Sequence, residues 1–338
     1  MTAVALRQWR GVKPVAGPSG VAISTRLRTT ADDERVLDLV AEHLGTLRRA
    51  DLAGVCRPVA VNPGLDGEAK RRVRRDRLNA RKKALTAQSS ARWANAIIAA
   101  NDDQYRLARD AQHRHIIGLR AAIATIDRRL AQPSGDTLSP EQRTQRRKAK
   151  APKGYRTQAE RFAKQRRLQV LGAELARVTA DFEGRRVRVV EGGKRLAKAR
   201  QHLDAAGLTK TQWRQNWDCA RDRIEAMGSG DEPFGNLTIT VTPDGEVSLR
   251  LPKPLEQLAN AARGRYVLSG KAVFCYRAKE WLARITGGYS VASSITAKPG
   301  RAGRYLTASW ATPPDAVTVS GEPDTDVDAG PSCRSGPQ

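Results

Sequence analysis

The sequence predicts an α+β protein, in which a small antiparallel β-barrel is interrupted by a long basic helical insertion and followed by a disordered C-terminal tail. Apolar residues recur with helical spacing in the middle of the chain and alternate with a period of two on either side, and the end of the chain shows neither pattern. The predicted segments are an N-terminal strand and helix (1–56), the basic helical segment (67–228), the remaining strands (234–310) and the tail (311–338).

The N-terminal segment opens with a strand and a helix. Residues 21–28 (VAISTRLR) alternate apolar and polar side chains, which is typical of a strand. Thr30 and Asp33 have the spacing of a capping box, so we predict a helix from residue 31 to about residue 50. Because the strand has no partner nearby in sequence, we expect it to pair with the later strands, which makes the helical segment an insertion in the barrel.

Two apolar stripes dominate the helical segment. The first contains Ile116, Leu119, Ile123, Ile126 and Leu130, and the second contains Leu168, Leu171, Leu175, Val178 and Phe182. Each stripe advances in steps of three and four residues and therefore occupies one helix face. We predict that the two helices pair as an antiparallel hairpin across a polar connection at 132–154. A helix break is possible at 101–103, and the basic residues before Gly154 are expected to be disordered or loosely helical.

After residue 234 the period becomes two. Residues 237–241 and 247–251 are predicted to form a hairpin around the turn at 243–246 (PDGE). Further strands are predicted, in order, at 265–268, 271–276, 290–296 and 304–310. Several short antiparallel strands favour a small barrel or sandwich.

The charge of the chain indicates a polyanionic partner. Lys and Arg number 60 against 35 Asp and Glu, a net charge of +25. Nucleic acid is the leading interpretation and an anionic membrane the second, while a basic bias of the source genome explains part of the excess. The sequence contains no run of 18 apolar residues, so it predicts no membrane-spanning helix. The four cysteines are widely spaced, which is typical of reduced thiols in a cytoplasmic protein and not of a zinc site.

Two basic concentrations contain most of the candidate binding residues. Residues 70–83 hold nine basic side chains and one acid, and residues 143–167 hold eleven and one. Arg and Lys neutralise phosphates, and neighbouring aromatic rings can stack on unpaired bases. We favour core packing for Trp93 and Trp213, and leave core and stacking equally open for Tyr155. The nucleic-acid-binding candidates are Arg71, Arg72, Arg74, Arg75, Arg81, Lys82, Arg92, Arg146, Arg147, Lys148, Tyr155, Arg156, Arg161, Lys164, Arg166, Arg167, Lys194 and Arg195.

No catalytic or metal-binding constellation emerges from the residues themselves. His113 and His115 are two apart and point to different sides of a helix, so they form a poor metal pair. Asp102 and Asp103 are interpreted either as a helix interruption or as partners for a nearby arginine. We therefore predict no metal site and no cofactor from these patterns.

Several segments resemble the N-terminal part of TnpB (OrfB-type) proteins of bacterial insertion sequences, in particular the actinobacterial branch. In order they are 158–171 (QAERFAKQRRLQVL), 192–196 (GGKRL), 203–208 (LDAAGL), 249–258 (LRLPKPLEQL) and 304–310 (RYLTASW). The resemblance covers roughly residues 21–310.

The resemblance implies a wedge-like β-barrel interrupted by a helical recognition domain, which together hold a transposon-derived guide RNA and a double-stranded DNA target. In that family a RuvC-like domain cuts DNA with three acidic residues and Mg²⁺. Residues 326–330 (DVDAG) resemble the start of that domain, with Asp326 as the first carboxylate, before residues 331–338 depart from it.

The expectation is therefore a TnpB-like, transposase-associated nucleic-acid-binding protein that keeps the RNA- and DNA-binding lobe and is inactive as a nuclease by itself. The alternative is an RNA-guided endonuclease or transposase that is active only with a separate chain carrying the nuclease domain. Mg²⁺ is expected only with a complete RuvC-like domain. The expected location is the cytoplasm, in association with the nucleoid.

Overall fold

The computed structural model of the protein describes residues 20–57, 66–298 and 303–311. Its helices are α1 (Ala31–Cys56), α2 (Gly67–Gln88), α3 (Ala91–Leu130), α4 (Pro140–Lys148), α5 (Gln158–Glu183), α6 (Lys194–Ala199), α7 (Lys210–Arg221) and α8 (Ala278–Thr286). Its strands are β1 (Gly20–Arg26), β2 (Ile224–Ala226), β3 (Ile239–Val241), β4 (Glu246–Arg250), β5 (Arg265–Lys271), β6 (Ala292–Ala297) and β7 (Arg304–Ala311). The predicted tail beyond Ala311, with Asp326, lies outside these ranges.

The first strand pairs with the last described strand. In β1, Val21 lies opposite Trp310 and Ile23 lies opposite Ala308 of β7, antiparallel. The four-stranded sheet has the order β1-β7-β6-β2, and a second antiparallel sheet has the order β3-β4-β5. The prediction that the N-terminal strand joins the later strands is confirmed, and helices α1 to α8 lie between these paired strands in sequence.

The predicted closed barrel is wrong for the described residues, which form two separate sheets. Strand β2 has three residues and pairs only with β6, so backbone ladders do not continue from one sheet to the other. A side chain connects them at this edge instead. Asn236, just before β3, donates its Nδ2 to the carbonyls of Ala226 and Val291 at 3.3 and 3.0 Å. Its Oδ1 accepts the backbone N–H groups of Thr238 and Ile239.

A second side chain, Asp33, connects the sheets at the other edge. The predicted capping box is confirmed, since Thr30 Oγ1 accepts from the Asp33 amide and Asp33 Oδ2 accepts from the Thr30 amide at 2.9 Å. The same carboxylate accepts from Tyr266 Oη at 3.1 Å and from the Ser269 amide of β5 at 3.3 Å. Only 1% of Asp33 is exposed, so the helix that follows β1 is held to the second sheet by a buried charge.

One core joins both sheets to helices α1, α2 and α3. Core residues of α1 include Val36, Val40 and Leu44. Trp93 of α3 is 1% exposed and donates its Nε1 to the Arg250 carbonyl at 3.0 Å, which confirms its core role.

The predicted strand at 271–276 is wrong. Strand β5 ends at Lys271, and the chain then reaches α8, a nine-residue helix that the periodicity did not predict. Phe274 lies before that helix and packs against Trp281 within it, with ring centroids 4.9 Å apart. Only Trp281 and Ile285 of α8 are buried, so the apolar spacing that could have predicted this helix consists of one pair at i and i+4.

The predicted hairpin of α3 and α5 is confirmed. A second apolar cluster contains the buried side chains of Ile116, Leu119, Leu171 and Val178, flanked by Ile123, Ile126, Leu175 and Phe182. Helix α3 has 40 residues without a break, so the interruption considered at 101–103 is absent. Because α3 also carries Trp93 in the main core, this one helix belongs to both clusters.

Replacing Asp33 with Asn is expected to destabilise the fold by about 1–3 kcal/mol at pH 7. Burial alone would raise the pKa of Asp33, but the hydrogen bonds from Thr30, Ser269 and Tyr266 outweigh it and hold that pKa below its ordinary value. The stabilisation is therefore complete above the unfolded-state pKa, about 4, and is lost as the pH falls through the folded-state pKa.

Urea unfolding at pH 7 and pH 3 measures this effect. The loss of stability between the two pH values should be smaller in D33N than in the wild type. Asp32→Asn is the matched control, because the neighbouring Asp32 side chain is 85% exposed; we expect it to change stability by less than about 1 kcal/mol. Equal effects of the two substitutions would contradict the role of Asp33.

Candidate nucleic-acid interface

Helix α2 projects a basic half that packs against almost nothing. Asp66 caps the helix by accepting from the Ala69 amide at 2.7 Å, and every residue from 70 to 80 is exposed. In the whole helix only Leu85 is buried. A helix that is polar on all sides gains little from burial, so packing does not explain this composition. The predicted residues Arg71, Arg72, Arg74 and Arg75 all lie on this exposed half, and Lys82 is exposed further along.

Arg81 stabilises the base of α2 and differs from the exposed arginines before it. Its Nε and Nη2 donate to Asp51 of α1 at 2.8 and 2.7 Å, and its Nη1 donates to Asp102 of α3 at 2.9 Å. These hydrogen bonds raise the pKa of Arg81 above its ordinary value. Asn101 donates to Asp51 at 2.8 Å in the same network. Asp102 is therefore an arginine partner, and Arg81 is a structural residue that we remove from the candidate set.

The basic half of α2 lies on the same side of the core as the hairpin. Helices α2 and α3 are joined by two residues, and the Arg81–Asp102 ion pair shows that they still run side by side well beyond the turn. They are consequently antiparallel there. The free end of α2 therefore extends in the direction in which α3 leaves the core.

The tip of the hairpin, which is the connection between α3 and α5, is more ordered than its composition predicts. Helix α4 forms within it, with a capping box between Ser139 and Gln142. Arg146 donates to Gln132 Oε1 at 2.6 Å and to the Pro152 carbonyl at 3.0 Å, and Arg161 donates to the Gln132 carbonyl at 2.7 Å. These two predicted residues thus hold the connection together. The side chains of Arg147, Lys148, Arg156, Arg166 and Arg167 are exposed on or near the tip, and Lys164 is partly buried.

Tyr155 is a packing residue in this structure. It is 2% exposed, and the Arg129 guanidinium lies 4.1 Å from its ring centroid. The same arginine donates to the Gly154 carbonyl at 3.2 Å. Neither face of the ring is open to a base, which decides between the two interpretations of Tyr155 in favour of packing. Trp213 is 8% exposed, and its predicted core role is confirmed.

Phe162 is an exposed aromatic residue close to the hairpin tip that the sequence patterns missed. It is 61% exposed on α5, and the Arg166 guanidinium lies 5.8 Å from its ring centroid. Phe162, Arg166 and Val170 are spaced by four, and this face lies opposite the packed residue Leu171. A helical wheel drawn from the predicted stripe places Phe162 on the solvent side. An apolar ring among arginines on a free face is typical of base stacking and cation–π contact.

The remaining predicted residues lie outside the exposed half of α2, the hairpin tip and the Phe162 face of α5. Arg92 is exposed at the start of α3 and forms an ion pair with the buried carboxylate of Glu232. Lys194 and Arg195 are exposed in the first turn of α6, which packs against α7. We define the candidate interface as the exposed half of α2, the hairpin tip and the Phe162 face of α5.

In the described ranges, no three His, Cys, Asp or Glu side chains form a group that could hold a metal ion. No helix in those ranges has the length and apolarity needed to cross a membrane. Burial raises the pKa values of the thiols of Cys56 and Cys219.

A scan against protein-family models, a search of curated proteins and a search of solved structures each gave no match for this chain. The proposals that follow therefore depend on the residues of the chain and on the resemblance of the five quoted segments.

Arg81→Gln is expected to lower the free energy of unfolding by about 1–3 kcal/mol, because it leaves the buried carboxylate of Asp51 without its guanidinium partner. Arg75→Gln removes the same charge from the exposed half of α2 and should change stability by no more than about 0.5 kcal/mol. Urea unfolding of both variants is the measurement. Equal stability of the two would show that Arg81 is not structural.

Proposed function

We propose that this protein binds nucleic acid through the candidate interface. The observation that carries the proposal is the exposed half of α2. Residues 70–80 contain six Lys or Arg and one acid, and all of them are exposed. Like charges four residues apart, such as Arg71 and Arg75, repel one another on a helix. A polyanion along this helix removes that repulsion and replaces it with charge-assisted hydrogen bonds.

The composition of the interface favours RNA or single-stranded DNA over duplex DNA as the principal ligand of the hairpin. An exposed ring such as Phe162 gains little against a closed stack of base pairs but can stack on an unpaired base. The exposed arginines of α2 contribute phosphate contacts that do not depend on base identity.

The segment resemblance to TnpB proteins supports a more specific form of the proposal. In that form the principal ligand is a structured, transposon-derived guide RNA and the second ligand is double-stranded target DNA. Base pairing between the two nucleic acids, and not the protein, then supplies most of the sequence specificity. The basic helices hold the nucleic acid backbone.

Fluorescence anisotropy with a labelled structured RNA tests the proposal through its salt dependence. We expect a plot of log Kd against log salt concentration with a slope of several units, because each phosphate contact contributes about 0.7 for single strands and 0.9 for duplex. A flat plot contradicts the proposal. Cleavage of a target DNA in Mg²⁺ by the protein with its RNA would favour the nuclease alternative.

A triple variant of α2, in which Arg71, Arg72 and Arg75 become Gln, is expected to reduce that slope by about two to three units. A charge-matched triple variant carries Gln at Arg35, Arg106 and Arg214, which are exposed and already paired with an acid on their own helices. It should retain most of the slope. Equal losses in both variants would indicate a response to net charge and not to the α2 surface.

Phe162→Ala is expected to weaken binding of an unstructured RNA oligonucleotide by about 5- to 150-fold, the range found for one lost base–aromatic stack. Binding of a blunt DNA duplex should change little. Leu107→Ala, which shortens an exposed apolar side chain on α3 outside the candidate interface, is the control and should leave both affinities close to the wild type. Unchanged RNA affinity in F162A would remove Phe162 from the interface.

A further inference from the structure

The outer face of the β3-β4-β5 sheet carries two arginines side by side. Along β4, Val247 and Leu249 are completely buried in the core, so Ser248 and Arg250 point to the opposite face. Arg265 of β5 lies directly opposite Arg250 in the antiparallel register. Side chains at directly opposed positions have Cβ atoms only about 5 Å apart, and like charges there are destabilising.

Arg265 lies across the sheet and is held there by uncharged groups. Its Nη1 donates to the Leu237 carbonyl at 2.7 Å, and its Nη2 lies 2.8 Å from Thr240 Oγ1 and 2.7 Å from Ser248 Oγ. Thr240 and Ser248 are buried beneath it although they face away from the core. These contacts fix the position of the guanidinium but do not neutralise its charge.

Among the described residues, neither the partly buried Arg265 nor the exposed Arg250 has a carboxylate within ion-pair distance, whereas the two buried arginines do. Arg48 is paired with Glu191 and Glu225, and Arg304 is paired with Glu34 and Asp38. Burial and the neighbouring charge of Arg250 lower the pKa of Arg265. A partly buried cation beside a second cation is unfavourable unless an anion joins them.

We propose that Arg250 and Arg265 bind one phosphate group on the outer face of this sheet. A phosphate has several acceptor oxygens and can receive charge-assisted hydrogen bonds from two guanidinium groups at once. Its negative charge would compensate both arginines, and the contacts with Thr240 and Ser248 orient one of them before the ligand arrives.

The phosphate belongs to the same nucleic acid that the candidate interface binds, and this part of the inference rests on the proposed function. The Arg250 carbonyl accepts from Trp93, and the amide of Lys253 donates to the Ser89 carbonyl at 3.4 Å, between α2 and α3. The end of β4 therefore lies at the base of the basic helices. A backbone that runs along α2 can continue onto this face.

Arg250→Gln and inorganic phosphate test the pair without nucleic acid. Calorimetric unfolding is compared in chloride and phosphate buffers of equal ionic strength. In chloride, R250Q should unfold at the wild-type Tm or above it, because the like-charge repulsion is gone. Phosphate at about five times its Kd should raise the wild-type Tm by roughly 2–4 °C, and R250Q should lose that rise. Arg35→Gln, with the same change in net charge, should keep it.

Nucleic-acid binding provides the second measurement. R250Q should reduce the salt slope by about 0.7 to 0.9, the value for one phosphate contact. Arg265→Gln should reduce the salt slope by the same amount. If the loss of the Arg265 hydrogen bonds destabilises the sheet, R250Q alone tests the pair. Equal phosphate-dependent Tm rises in wild type and R250Q, together with an unchanged salt slope, would overturn the inference. If the wild type shows no salt-dependent binding, the proposed function fails, whereas a phosphate effect lost in R250Q still supports the arginine pair.

Discussion

The buried carboxylate of Asp33 connects parts of the protein that no backbone ladder joins. It accepts from the Thr30 amide at the start of α1, it accepts from Tyr266 and Ser269 of the second sheet, and it follows β1 of the first sheet by only a few residues. The next acids on α1 extend the arrangement, because Glu34 and Asp38 pair with Arg304 at the start of β7. One turn of one helix thus positions both sheets. Since Asp33 and Arg304 are buried and Glu34 is partly buried, the strength of the connection depends on complete pairing of these groups.

Arginine has two distinct roles in this chain, and burial separates them. Inside the core and at the base of α2, guanidinium groups meet carboxylates from distant parts of the sequence. On α2 and the hairpin tip they are exposed and outnumber acids. The compensated arginines fix the orientation of the helices, and the uncompensated ones give the projecting helices their charge. In the Arg250–Arg265 pair, one guanidinium is partly buried and the other is exposed, and neither is paired with a carboxylate of the described residues.

Apolar periodicity predicted the helices and strands in which buried residues recur at a regular spacing. It missed the elements that are held by only a few buried residues. The alternation in β1 and β7, the capping box of α1 and the seam of the hairpin are all patterns that can be read locally in the sequence. Helix α8 was missed because it has only one apolar pair, at i and i+4. The barrel prediction was wrong at β2, because a strand of three residues has no sequence pattern that indicates which strands it pairs with.

The candidate site was harder to predict because its members look alike in sequence. Arg75 and Arg81 lie in one basic run, and only the distant carboxylates of Asp51 and Asp102 distinguish them. Tyr155 and Phe162 both adjoin basic residues, and the Arg129 ring contact covers only the first. Phe162 could have been found from the helical wheel, whereas the burial of Tyr155 depends on a contact across the hairpin connection.

Helix α3 also has a mechanical consequence. It is fixed in the core around Asn101 and reaches the hairpin tip about 44 Å away, at 1.5 Å per residue. With the hairpin moving as a rigid lever, a displacement of about 5 Å at the tip corresponds to a rotation of only about 6–7° at this pivot. Small rearrangements of the polar network around Asn101 and Asp51 are therefore amplified at the end of the hairpin. The network that secures the base of the helices therefore also influences the position of the hairpin tip.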